Sequence, residues 1–174
     1  MKTLIVVGHP DMQHSVINKR WAEELAKYPD RFTVHILSQV YPDERIDVEK
    51  EQQLIEAHDR LILQYPIYWF NCPAFLKKWL DCVFTEGWAY GPGGDKLKDK
   101  RFALAVSAGM RESDFRPDGE CRATVDQLIQ PFRTTALYTG LNFSGCFVQY
   151  GSHHVAPEAL EKSARDYVRF ISGL

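Results

Sequence analysis

The sequence of 174 residues lacks the features that mark several specialised classes of protein. No apolar run approaches the roughly 20 residues that span a bilayer. The apolar stretch at residues 4–7 is too short for a signal peptide. The formal net charge is −2 and the pI is about 6.3, so no excess of basic residues indicates a nucleic-acid partner. We therefore predict one globular domain over residues 1–174.

Cysteine is scarce and follows no metal-binding or disulfide pattern. The four cysteines are Cys72, Cys82, Cys121 and Cys146. Without a CxxC pair they are typical of reduced thiols, so we predict a cytoplasmic protein without a metal site. The pair His153-His154 does not change this prediction, because neighbouring residues on a strand point to opposite faces.

Short apolar runs alternate with amphipathic stretches along the chain. This pattern predicts strands at residues 4–7, 32–37, 61–65, 101–107 and 142–150. It predicts helices at residues 15–27, 49–58, 73–85, 122–137 and 157–171. Pro131 lies inside the fourth helix, and we expect it to kink or interrupt that helix.

Such alternation predicts the α/β class, with a doubly wound, five-stranded parallel sheet and helices on both faces. The leading strand order is 2-1-3-4-5. In this order the topological switch point lies between strands one and three, and ligands bind there, beyond the carboxyl ends of the strands.

The loop after strand one, residues 8–18, opens a helix whose free N–H groups favour an anion. Ser15 and Asn18 add side-chain donors. The segment has neither a Walker pattern nor GxGxxG, so it indicates a phosphate site only weakly. The alternative is that Ser15 is an ordinary helix cap.

The loops after strands three and four supply different chemistry. Tyr68, Trp69 and Phe70 stand side by side after Pro66, where they either cover a planar ring or form a hydrophobic plug. Gly109 permits either a close backbone approach or a plain turn. A phosphate cradle, an aromatic wall and a permissive turn at one sheet edge together indicate a flavin mononucleotide site.

Several motifs carry a family resemblance, the most specific between residues 66 and 94. They are Gly8-His9-Pro10, Tyr41-Pro42-Asp43, Gln64-Tyr65-Pro66, Pro73-Ala74-Phe75-Leu76-Lys77, Gly87-Trp88-Ala89-Tyr90-Gly91 and Gln130-Pro131-Phe132. Over nearly its whole length the chain resembles the NAD(P)H:quinone oxidoreductases of the flavodoxin-like fold, the DT-diaphorase type. It is most similar to their small bacterial branch. That branch contains general stress oxidoreductases and ancillary proteins of glutathione-regulated potassium efflux.

The resemblance implies three groups of flavin-binding residues. The phosphate and ribityl chain would contact His9, Ser15, Val16, Ile17 and Asn18. The isoalloxazine would be lined by Pro66, Ile67, Tyr68, Trp69 and Phe70. The next loop would supply Ser107, Ala108, Gly109 and Met110. The family usually has Thr-Thr-Gly-Gly in this last loop, so Ala108 and Met110 depart from its pattern.

The implied cofactor is FMN, with FAD as the alternative, because the short chain has no obvious extra segment to bind adenine. Larger family members place a tyrosine and a histidine near flavin N5. Here Phe115 lies nearest the tyrosine position, and no histidine occurs between His58 and His153. We expect no catalytic side chain, since flavin N5 carries the hydride.

The implied function is two-electron hydride transfer from NAD(P)H to quinones or similar acceptors by a ping-pong mechanism. The family also implies a homodimer, with Trp88, Tyr90 and the loop after strand four at its interface. A soluble regulatory subunit of a potassium efflux transporter, peripheral to the inner membrane through that partner, is a second interpretation.

Two other classes fit the sequence less well. One-electron flavodoxin-type carriers tend to be strongly acidic, unlike a chain of pI 6.3. Low-molecular-weight tyrosine phosphatases need Cys-x5-Arg after strand one, and that loop contains no cysteine.

A basic run is formed by Lys96, Lys98, Lys100 and Arg101. It is either solvated surface or an attractor for an NADP phosphate or a partner protein.

Overall fold

The computed structural model describes residues 1–174 as five strands with helices between and after them. The strands are β1 (Thr3–Val7), β2 (Phe32–Ile36), β3 (Arg60–Pro66), β4 (Arg101–Ser107) and β5 (Asn142–Gln149). The α-helices are α1 (Ile17–Leu25), α2 (Leu37–Val40), α3 (Val48–Glu56), α4 (Ala74–Val83), α5 (Val125–Leu128), α6 (Gln130–Thr139) and α7 (Pro157–Gly173). Short 3-10 helices cover Glu112–Asp114 and Ser152–His154. None of the helices is both long enough and apolar enough to cross a membrane.

The five strands form one parallel sheet in the order β2-β1-β3-β4-β5, which confirms the predicted topology. Val7 pairs with Gln64, and Pro66 pairs with Ser107, which in turn pairs with Gln149. The last residues of four strands therefore meet at one edge of the sheet, where the loops that follow them come together.

Helices cover both faces of the sheet, as expected for strands that are buried on two sides. On one face, Trp21 of α1 and Tyr167 of α7 pack at 4.9 Å between ring centroids, and the Trp21 indole donates to Ser163. On the other face, Leu76 and Trp79 of α4 belong to the larger apolar cluster. The edge strand β5 is only half-buried.

The second face also contains a buried carboxylate, Glu51 of α3, which is fully shielded from solvent. Its Oε1 accepts from Tyr41 at 2.7 Å and lies 2.9 Å from His35 Nε2, and its Oε2 accepts from Trp79 at 2.8 Å. Burial opposes ionisation, but the bonds from His35, Tyr41 and Trp79 outweigh it and hold the pKa of Glu51 below its ordinary value. The hydrogen bonds of the Glu51 carboxylate thus connect β2, α3 and α4.

Two helix predictions were wrong in their bounds. The interruption expected at Pro131 is present: α5 ends at Leu128, and Pro131 lies in the first turn of α6, which extends to Thr139. The helix predicted at residues 15–27 spans only Ile17–Leu25. Ser15 precedes it and does not cap it, since the cap position is Val16 and no side chain bonds there.

Candidate functional site

Two cavities lie at the carboxyl edge of the sheet, and together they bring the predicted flavin-binding residues into one place. The first, of about 380 Å³, is lined by His9, Ser15, Val16, Ile17, Asn18, Pro66, Tyr68 and Ser107, with Asp11, His14, Ser152 and His153. The second, of about 190 Å³, is lined by Ile67, Trp69, Phe70, Ala108, Gly109 and Met110, with Phe115 and His153. Each predicted residue thus lines one cavity or the other, while its role in binding stays a prediction.

The start of α1 presents unpaired backbone donors to the first cavity. The first backbone bond of this helix runs from the Arg20 N–H to the Val16 carbonyl at 3.2 Å. The N–H groups of Val16, Ile17 and Asn18 therefore have no partner within the chain. Together with the helix dipole, these groups form a site suited to an anion.

His9 adds a side-chain donor to the same cavity. Its Nδ1 accepts the Asp11 backbone N–H at 3.0 Å, so the neutral ring carries its proton on Nε2. Burial lowers the pKa of His9, although the nearby Asp11 carboxylate acts in the opposite direction. The lowered pKa favours the neutral ring. Asp11 itself is held by His14 at 2.7 Å. The Nε2–H group of His9 can therefore donate to an anion without a buried charge.

A buried amide network fixes the position of Asn18. Its Nδ2 donates to Ser107 Oγ at 3.0 Å, which ties α1 to the end of β4. Gln64, at the end of β3, donates to the Asn18 carbonyl at 3.0 Å and is completely buried. The side-chain oxygen of Gln64, Oε1, is buried without a partner in the chain. Gln64 was not predicted as a site residue, although a glutamine in an otherwise apolar strand is itself a signal.

The aromatic segment forms a tight two-residue turn. The Tyr68 N–H donates to the Asn71 carbonyl at 2.9 Å, and the Asn71 N–H donates back at 3.0 Å. Trp69 and Phe70 take positive φ angles of 47° and 62°, which non-glycine residues rarely adopt. Trp69 is 94% exposed, so it is not a hydrophobic plug. Strain of this kind, about 1–3 kcal/mol per residue, is typical of functional sites.

The loop after β4 is clamped by the segment after β5. The Ala108 N–H donates to the Gln149 carbonyl at 2.8 Å, and the Ala108 carbonyl accepts from Ser152 at 3.0 Å. A Cβ atom on Gly109 would lie 2.3 Å from His153 Nε2, so a larger residue there requires the exposed His153 ring to move. The Gly109 turn is therefore a close approach between two loops.

His153 lines both cavities and was not among the predicted site residues. It was considered only as a neighbour of His154 on a strand, whereas both lie in the 3-10 helix Ser152–His154. The signal that was available is its position just after β5, the strand beside β4. Phe115 is buried in the wall of the second cavity, and its ring lies 5.7 Å from that of Tyr150.

The basic run lies at the opposite edge of the sheet. Arg101 begins β4 and Ser107 ends it, so the run is separated from both cavities by the length of this strand, about 20 Å. Lys100 donates to the His58 carbonyl at 2.7 Å, and Lys96 pairs with Asp95 at 3.7 Å. The run lines neither cavity, so it does not contact a phosphate held in them.

Comparison with known proteins assigns the family. A family model described as the flavodoxin-like fold matches residues 1–171. The chain belongs to this flavodoxin-like family. Among its relatives, the uncharacterized NAD(P)H oxidoreductase YrkL of Bacillus subtilis is 47% identical over 98% of each chain. The glutathione-regulated potassium-efflux system ancillary protein KefG of Enterobacter is 34% identical over 98% of this chain and 93% of its own.

Two solved structures are similar to this fold over nearly its whole length. General stress protein 14 of Treponema denticola, solved in complex with FMN, has a TM-score of 0.96 and 46% identity over 99% of each chain. An NADPH-quinone reductase of P. pentosaceus has a TM-score of 0.89 and 28% identity over 98% of this chain and 97% of its own. The resemblance inferred from the sequence motifs is thus confirmed.

Proposed function

We propose that this protein binds FMN and transfers hydride from NAD(P)H to a quinone or similar acceptor. One observation carries the proposal: unpaired donors at the start of α1 and a strained, exposed aromatic turn meet at the same sheet edge. General stress protein 14, solved with FMN, supports the choice of cofactor. YrkL and the P. pentosaceus reductase support the choice of reaction.

The residues of the first cavity suit the phosphate and ribityl chain of FMN. A phosphate dianion requires hydrogen-bond donors. The cavity offers the backbone N–H groups of Val16, Ile17 and Asn18 and the Nε2–H of neutral His9. The Ser15 hydroxyl lines the same cavity.

The residues of the second cavity suit a planar ring system. Trp69 and Phe70 offer aromatic surface from one side, and the Gly109 turn allows close approach from the other. The backbone N–H groups of Trp69, Phe70, Gly109 and Met110 have no partner in the chain and can donate to ring carbonyls. Donors placed there stabilise negative charge on the ring system.

When bound, FMN supplies two-electron chemistry, accepting hydride from a pyridine nucleotide and passing it to the acceptor. The chain provides one open cavity beside the aromatic turn, so donor and acceptor would bind in turn and give ping-pong kinetics. No side chain of the cavity needs to act as a nucleophile.

The proposal extends to assembly and location. Leu137 and Tyr138 are exposed apolar side chains on α6, and Tyr90 packs against Tyr138 at 5.4 Å, so this face suits a homodimer contact. Trp88 contributes little to such a contact, because it is buried and donates to Glu56 at 2.6 Å. The four free thiols are compatible with a cytoplasmic location.

A second candidate function is that of an ancillary subunit of a potassium efflux system, which the KefG and KefF relatives favour. The two functions are compatible, because a subunit of this kind can keep its cofactor site. Co-purification of the chain with such a transporter, and potassium efflux measured with and without it, would test this role.

The direct test is to purify the protein, identify any released flavin by chromatography, and measure NAD(P)H oxidation with and without a quinone. We expect FMN at about one per chain and quinone-dependent turnover. Parallel lines in double-reciprocal plots would support the ping-pong sequence. Folded protein that binds no flavin and oxidises no nucleotide would refute the proposal.

A further inference from the structure

A third cavity, of about 360 Å³, shares Phe115 as a wall with the second cavity. It lies between the loop after β4, the helices α5 and α6, and the half-buried edge strand β5. Its lining includes the polar side chains of Glu112, Arg116, Asp126, Arg133 and Cys146. The functions assigned above use none of its lining residues except Phe115.

Two arginines in this cavity have guanidinium N–H groups without an acceptor in the chain. Arg116 is exposed and forms no ion pair or side-chain hydrogen bond within the chain. Arg133 pairs with Asp126 and packs over the Phe143 ring at 4.9 Å, yet its Nε is buried without an acceptor. A guanidinium with free donors is the side chain best suited to a phosphate group.

The rest of the lining is apolar and aromatic, with two carboxylates. Phe115 and Tyr150 form an aromatic pair, and Val148 and Ile129 complete an apolar wall. Burial raises the pKa of Cys146 to about 12, so this thiol stays neutral. Asp126 is occupied by Arg133, whereas Glu112 is free and can accept from a hydroxyl. Hydrogen-bond donors for a phosphate, an acceptor for a hydroxyl and an apolar, aromatic wall together match an adenosine phosphate.

We infer, on the basis of the proposed function, that the third cavity binds a phosphate of the adenine half of NAD(P)H. The nicotinamide would then occupy the second cavity. Arg116 would hold either the 2′-phosphate, found only in NADPH, or the pyrophosphate, common to both nucleotides. The basic run at residues 96–101 cannot serve this purpose, because it lies at the opposite edge of the sheet.

The test measures KM for NADPH and NADH in the wild type and in the variants Arg116→Gln and Arg116→Lys. Loss of a charge-assisted hydrogen bond predicts a rise in KM of about tenfold or more for Arg116→Gln, with kcat retained. A rise for NADPH alone assigns the 2′-phosphate, and a rise for both nucleotides assigns the pyrophosphate. Arg116→Lys should recover part of the affinity, because it keeps the charge.

Lys98→Gln is the matched control, because it removes one positive charge from an exposed residue at the far edge of the sheet. Direct binding of 2′,5′-ADP to the flavin-loaded protein, measured by calorimetry, gives a second measurement that does not depend on turnover. Equal KM values in Arg116→Gln, Lys98→Gln and wild type would overturn the inference while the wild type still oxidises NAD(P)H. Failure of the wild type itself to oxidise either nucleotide would instead refute the proposed function.

Discussion

The turn at Trp69 and Phe70 predicts that one substitution will raise stability while weakening cofactor binding. Turns of this type favour asparagine at the first central position, because asparagine tolerates positive φ. Trp69 has a φ of 47° and is 94% exposed, so Trp69→Asn relieves strain and loses almost no buried surface. We expect a gain of about 1 kcal/mol in the free energy of unfolding. For a chain of 174 residues this corresponds to a rise in Tm of about 2–4 °C.

The same change removes aromatic surface from the second cavity. An aromatic contact of this kind contributes about 1 kcal/mol, so the Kd for FMN should rise about fivefold. Unfolding is measured on flavin-free protein by denaturant titration, and FMN affinity by quenching of flavin fluorescence. Trp69→Phe is the matched control, since it keeps both an aromatic ring and the strained φ of 47° at this position. We expect this control to change neither quantity by more than a few tenths of a kcal/mol.

Two outcomes would refute the reasoning. A loss of stability in Trp69→Asn would mean that the Trp69 side chain stabilises the turn rather than straining it. Unchanged FMN affinity would mean that the exposed indole does not contact the ring.

Three further predictions concern neighbouring contacts. Gly109→Ala should weaken FMN binding, because its Cβ would meet His153 Nε2 at 2.3 Å, and adding His153→Ala should restore affinity in a double-mutant cycle. Gln64→Leu should cost about 1–3 kcal/mol of unfolding free energy and loosen Asn18, seen as a higher FMN Kd. The pKa of Glu51 lies below its ordinary value of 4.5, so its contribution to stability is complete above pH 4.5 and is lost as the pH falls through the folded value. Acid unfolding of Glu51→Gln should accordingly depend less steeply on pH below 4.5, and an unchanged slope would contradict this assignment.

The fold was predictable because each strand carries its own signal. β3 and β4 are almost wholly apolar, and the intervening amphipathic helix α4 requires a right-handed crossover between parallel strands. The interruption at Pro131 was predictable, but the bounds of the helix predicted at residues 122–137 were wrong because periodicity alone does not reveal where a helix starts.

The site was predictable only where its residues directly follow a strand that periodicity identifies. His153 was missed because its contact with Gly109 joins loops that are 44 positions apart in sequence. The positive φ angles of Trp69 and Phe70 were also beyond prediction, since both residue types normally avoid this conformation. The basic run could not be placed from the sequence alone, because its distance from the site depends on the direction of β4 in the sheet.

The most direct test of the account compares FMN with riboflavin, which lacks the phosphate, as ligands of flavin-free protein. Because the start of α1 and neutral His9 offer unpaired donors, FMN should bind about 100-fold more tightly than riboflavin. His9→Ala should narrow this ratio and leave riboflavin affinity unchanged. Equal affinities for FMN and riboflavin, or no binding of either by folded protein, would contradict the account.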